Sequence, residues 1–101
     1  MSRRYVWAES KQRSNLTKHG LDFRSAYLVL NNPYRMEIES PRGKEKRKLV
    51  FAYVFDLLAV LTVVYLSDNK LNTLRIISFR HANRIEKEKY FEWLENDIHD
   101  S

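Results

Sequence analysis

The 101-residue chain has no cysteine, which removes disulfide cross-links, thiolate metal sites and a thiol nucleophile. It has only two Gly and two Pro, so collagen-like repeats and low-complexity linkers are excluded. There is no Gly-rich phosphate loop, and no carboxylate or His cluster stands at metal-ligand spacing. We therefore expect neither a metal nor a cofactor. The first 13 residues are polar and hold no apolar segment, so a signal peptide is not expected and a reducing cytoplasm is.

What is present is positive charge and aromatic carbon. Lys and Arg number 18 against 13 Asp and Glu, for a net charge of +5 and a sequence pI near 9.6. Such a balance favours a polyanionic partner, either nucleic acid or an acidic protein segment, without choosing between them. A hydrophobic fraction of 44%, with two Trp, six Tyr and five Phe, suffices for one core, and residues 1–101 read as a single domain.

Residues 49–66 form one long apolar run, interrupted by Asp56. The run is just long enough for a membrane span, but a charge at its centre would cost several kcal/mol. It is rich in Val, Phe, Tyr and Thr, which favour strands. A turn near Asp56 makes it a hairpin, and no membrane association is expected.

Along the chain, residues 5–7 suit a short strand and residues 8–18 a helix. Gly20 supplies the left-handed residue that ends that helix. Asp22 reads as the cap of a second helix, carrying Phe23, Ala26, Tyr27 and Leu30 on one stripe and closed before Pro33. Tyr34, Met36 and Ile38 alternate with charged residues, a strand with one wet face. Pro41, Arg42, Gly43 and Lys44 signal a turn. Strands follow over 47–54, 57–66 (apolar on both faces, hence central) and 74–79. The last helix spans 82–98, with Phe91, Leu94 and Ile98 on one face and Tyr90 beside Leu94. The expected class is α+β: an antiparallel sheet of four to five strands, two N-terminal helices and one C-terminal helix.

Several of these residues make a familiar set. Trp7, Lys11, Asn15, Lys18-His19-Gly20-Leu21, Phe23, Ala26 and Pro33 resemble the N-terminal half of the BrnT family. Val63-Val64-Tyr65, Arg75-Ile76-Ile77-Ser78, Arg80, Ala82, Glu86 and Tyr90 are similar to its C-terminal half. The resemblance places a toxin domain at about residues 5–92, before a polar tail at 96–101. It departs at Ala8, where the family often has Asp, at Ala52 and Tyr53, where a Gly is usual, and at His81, where Arg or Lys is frequent. The resemblance implies a RelE-like fold and a type II toxin that cleaves RNA. It also implies a BrnA-like antitoxin, whose DNA-binding portion would bring the pair to operator DNA. An acidic segment of the antitoxin is expected over the cationic site.

RNA is cut without metal when its own 2′-hydroxyl attacks the adjacent phosphate. The protein must then help move protons and stabilise charge on the phosphoryl oxygens. Arg75 and Arg80 are the first candidates, because guanidinium grips phosphate bidentately and a buried strand does not need it. In an ideal strand these two positions face opposite sides, so a bulge or the strand end must reorient one of them if both serve one site. Otherwise each would pair with a carboxylate such as Glu86. His19 suits proton transfer near neutrality, or it simply bonds the last carbonyls of its helix. Tyr65 is a further catalytic candidate, to stack a base or hold a proton, or else a core residue. Lys11, Asn15 and Lys18 share one helix face, with Lys11 and Lys18 placed to track phosphates or merely solvated. Arg47 and Lys48, with Lys44 and Lys46, form the densest basic run, either a funnel for phosphate or simply a disordered charged loop. His81 either caps the last helix or flanks the site. The alternative reading is a non-catalytic nucleic-acid or protein-binding module that acts with its antitoxin as an operon co-repressor.

Overall fold

The computed structural model describes residues 4–40 and 47–100, the side chains of 97–100 excepted. The expected turn at Pro41, Arg42 and Gly43, and the candidates Lys44 and Lys46, lie outside the described residues. The elements in chain order are β1 (Arg4–Val6), α1 (Glu9–His19), a 3-10 turn (Phe23–Ser25), α2 (Tyr27–Leu30), β2 (Met36–Ser40) and β3 (Arg47–Val54). A second 3-10 turn (Phe55–Leu57), β4 (Ala59–Asp68), β5 (Thr73–His81) and α3 (Arg84–Asp100) complete them.

The strands form one sheet in the order β1-β5-β4-β3-β2. From β1 at one edge the chain passes through α1 and α2 to β2 at the other. It then meanders back until β5 lies beside β1. β2 to β5 are antiparallel, but β1 runs parallel to β5, so the sheet is mixed rather than purely antiparallel. The apolar run of 49–66 is the β3–β4 hairpin with Asp56 in its turn, and β4 is the central strand, as its two apolar faces predict. No helix among the described residues is long and apolar enough to cross a membrane.

Each face of the sheet has its own core. On the α1–α2 face, Val50, Ala52, Val54, Leu61, Val63, Tyr65, Leu74, Ile76 and Phe79 pack against Leu21, Phe23, Ala26, Val29 and Leu30. Full burial of each such large side chain contributes about 1.5–3 kcal/mol. On the other face Tyr90 of α3, with Trp93 and Leu94, packs on Met36, Phe51, Val60 and Ala82. Phe91, expected on that packing face, is instead 48% exposed. α3 also continues through residues expected to form a polar tail.

The expected second helix is shorter than its stripe suggests. The buried positions Phe23, Ala26 and Val29 recur every three residues, the period of a 3-10 turn, while Tyr27 is 50% exposed. Asp22 does cap it, accepting the Arg24 backbone N–H at 2.9 Å. A side-chain fork from Arg24, then that backbone N–H, hold the Asp22 carboxyl well below the usual carboxylate range. Asp22 also takes a bond from Gln12, which in turn accepts from the Trp7 indole, tying α1 to the turn. Gly20 ends α1 with φ +70°, and its N–H reaches the Leu16 carbonyl. The other end of α1 is less well made: Ala8 stands at the N-cap and offers no side-chain bond.

Candidate active site

A β-bulge decides which residues β5 presents. Leu66 lies opposite Arg75 and Tyr65 opposite Ile76, but Val64 lies opposite Ser78, so Ile77 is the extra residue. Beyond it, Val63 pairs with Phe79 and Thr62 with Arg80. Directly paired residues share a face of the sheet. The bulge therefore resets the alternation, and Arg75, Ser78 and Arg80 all lie on the face that carries α3. Among the described residues, α3 packs on that face over Met36, Phe51 and Val60. Arg75 is exposed, and Val64, Leu66, Ser78 and Arg80 are partly so.

The two arginines are held differently. Arg80 forks onto Glu86, its two terminal nitrogens donating at 2.7 and 3.0 Å, and also reaches the His81 carbonyl. Glu86 is the third residue of a capping box: it accepts the Asn83 backbone N–H at 2.9 Å, and Asn83 Oδ1 accepts the Glu86 N–H at 2.8 Å. Burial pushes the Glu86 carboxyl up, but the bonds from Arg80 and Asn83 outweigh it and leave the pKa lowered. Asn83, not His81, thus caps α3. Arg75 has no hydrogen-bond or ion-pair partner among the described residues. The guanidinium of Arg75 is open to an anion, whereas that of Arg80 is rigid and partly neutralised.

Along the open edge of β5, beyond the three residues of β1, α1 takes the place of a strand. Asn15 is buried and pairs with Phe79 as a strand residue would, donating to its carbonyl at 2.7 Å and accepting its N–H at 3.1 Å. A further bond reaches the Leu21 carbonyl at 3.0 Å. Asn15 is therefore a structural pin, while Lys11 and Lys18 beside it are exposed. Lys11, Lys18 and His19 line a groove of about 410 Å³ with Ser10, Ile77 and Ser78. The imidazole of His19 is held below its ordinary pKa, first by burial and then by the charges of Lys18, Arg80 and His81. Among the described residues its ring bonds no carbonyl of its helix. Near neutral pH His19 is thus an uncharged acceptor beside a cationic strand end.

The remaining candidates divide between the faces. Arg47 lies opposite Ser40 at the far end of β3, on the same face as Arg75. Its neighbour Lys48 points to the other face, opposite Tyr65. Tyr65 is 3% exposed within the α1–α2 core, and its hydroxyl lies 3.4 Å from Glu37. The structure therefore groups Arg75, Arg80 and Arg47 on one face and His19, Lys11 and Lys18 along its edge, and sets Tyr65 and Lys48 apart. Two features escape sequence reasoning. One is the Asn15 pin, hinted at by a poor helix former in mid-helix. The other is the capping box at Asn83 and Glu86, which is written openly in the sequence.

The α+β domain thus turns the Arg75 guanidinium outward from a partly open sheet face, with His19 at its edge. The family described as the ribonuclease toxin, BrnT, of type II toxin–antitoxin systems matches residues 7–86, and the chain belongs to this family. That membership implies an antitoxin partner and an RNA substrate. No curated protein matches the chain.

Proposed function

We propose that the chain is a metal-independent endoribonuclease that cleaves RNA by attack of the 2′-hydroxyl on the adjacent phosphate, in the cytoplasm. The observation that carries this reading is the bulge at Ile77, which puts Arg75 and Arg80 on one partly open face. Arg75 takes the scissile phosphate and stabilises the charge that grows on its oxygens. Arg80 stands on the same face with its charge largely met by Glu86, and Arg47, Lys11 and Lys18 hold the flanking backbone. His19, kept neutral, accepts the 2′-hydroxyl proton as the new 2′-oxygen–phosphorus bond displaces the 5′-oxygen, which takes a proton from solvent. A BrnA-like antitoxin with an acidic segment would silence this face by covering it, and would carry the pair to operator DNA.

The test is incubation of the purified protein with RNA in excess EDTA. Fragments should form and should end in 2′,3′-cyclic phosphate with a free 5′-hydroxyl on the other product. Cleavage abolished by EDTA and restored by Mg²⁺ would refute the mechanism. The engagement of Arg80 by Glu86 favours one competing reading, a non-catalytic module acting with its antitoxin. Under that reading expression without the antitoxin leaves cellular RNA intact.

A further inference from the structure

Arg75 lines a cleft of about 670 Å³ whose other residues the reaction above does not use. Val6 of β1, Leu66 of β4 and Leu71 of the β4–β5 turn are among its apolar walls, with Trp7 beside them, and its polar lining includes Asn69 and Arg75 together with Asp68 and Lys70. Its size lies within the usual range of small-ligand sites. Val6 and Leu66 both lie opposite Arg75 in the sheet, on its two sides. Arg75 is thus flanked by apolar side chains on the same face.

The turn that closes the cleft is preformed. Asp68 Oδ1 accepts the backbone N–H groups of Lys70 and Leu71 at 3.0 and 3.1 Å. Asn72 takes a positive φ of 50°, and its carbonyl accepts the Arg4 N–H at 3.2 Å. On this turn Leu71 is 67% exposed, so its side chain is open to a ligand in the cleft. No hydrogen bond or ion pair holds the side chain of Asn69 among the described residues.

We propose that this cleft is a nucleobase subsite, in which the base beside the Arg75-bound phosphate lies against Leu66 and Leu71 with its polar edge toward Asn69. The proposal rests on the ribonuclease reading for its substrate. The chemistry fits a nucleotide: a flat apolar ring needs apolar walls, its edge needs an amide that both donates and accepts, and its phosphate needs a cation next door. Such a subsite would make cleavage depend on base identity at one position relative to the cut.

Two readouts test it. In NMR titrations, uridine and adenosine 3′-monophosphates should shift resonances of Val6, Leu66, Leu71 and the Asn69 amide, whereas ribose 5-phosphate should shift Arg75 alone. In cleavage assays the wild-type chain should favour one base class by on the order of tenfold or more. Asn69→Ala and Leu71→Ser, both on the exposed turn and so expected to fold, should flatten that preference and raise KM more than they lower kcat. Equal shifts with ribose phosphate and with the nucleotides, or variants that keep the wild-type preference, would overturn the subsite. Because binding is read without cleavage, a chain that binds nucleotides here but cuts no RNA would refute only the ribonuclease reading.

Discussion

At the scale of single residues, Asn15 does the most with the least. Its amide supplies one donor pair and one acceptor to three backbone groups that would otherwise end unpaired at the rim of the sheet. Removing it leaves buried N–H and C=O groups without partners, each costing roughly 1–3 kcal/mol. Asn15→Ala should therefore lose about 3 kcal/mol or more of stability and melt about 10 °C or more lower, as read by calorimetry. Asn15→Asp keeps the acceptor but loses both donations, so it should not rescue. Melting of either variant at the wild-type temperature would show that the pin is dispensable. Tyr90 plays a similar part at the opposite rim, donating to the Tyr34 carbonyl at 2.7 Å and accepting the Tyr53 N–H at 3.2 Å. Burial raises the pKa of its phenol, which stays protonated and able to donate.

At the scale of elements, the junction of β5 and α3 is an electrostatic joint. Arg80 and Glu86 are both largely shielded, at 27% and 15% side-chain exposure, and Glu86 also closes the capping box. Its carboxyl titrates below the ordinary value of 4.5 in the folded chain. The folded state therefore binds this proton less readily than the unfolded state does. The resulting stabilisation is fully present above about pH 4.5 and is lost as the pH falls through the lower folded value. Glu86→Gln keeps a side chain that can close the box but removes the charge. Between pH 5 and 3 its stability should fall less than that of wild type, measured by urea denaturation at each pH; parallel curves would contradict the joint.

The same elements show what a sequence discloses. The strand at 47–54, the hairpin at Asp56 and the central place of β4 follow from β-propensity, apolar run length and one interrupting charge. The pairing of β1 with β5 does not, because three residues find a partner 69 positions away in sequence (Arg4 with Thr73) through a register that no local signal encodes. Nor does the bulge, since Ile77 is an ordinary strand residue with no Gly or Pro beside it. The parity of Arg75 and Arg80 could be posed from the sequence as a question, and only the register answers it. Tyr65 and Lys48 were legible as candidates by residue type alone. Which face each would take depends on where the helices pack.

At the scale of the whole molecule, the sheet separates two tasks. One face is filled by α1 and α2 and holds most of the core. The other packs α3 over Met36, Phe51 and Val60 and also bears Arg75, Arg80 and Arg47. Because Arg75 is exposed and unpartnered among the described residues, its loss should leave the fold untouched, whereas loss of Arg80 breaks a shielded ion pair as well. Arg75 thus separates function from stability. The most direct measurement is the cleavage rate of Arg75→Ala on RNA in excess EDTA, with its melting temperature taken in parallel. Wild-type melting with cleavage slowed by on the order of 10²–10³ is the predicted result; cleavage at the wild-type rate by the folded variant would contradict the account.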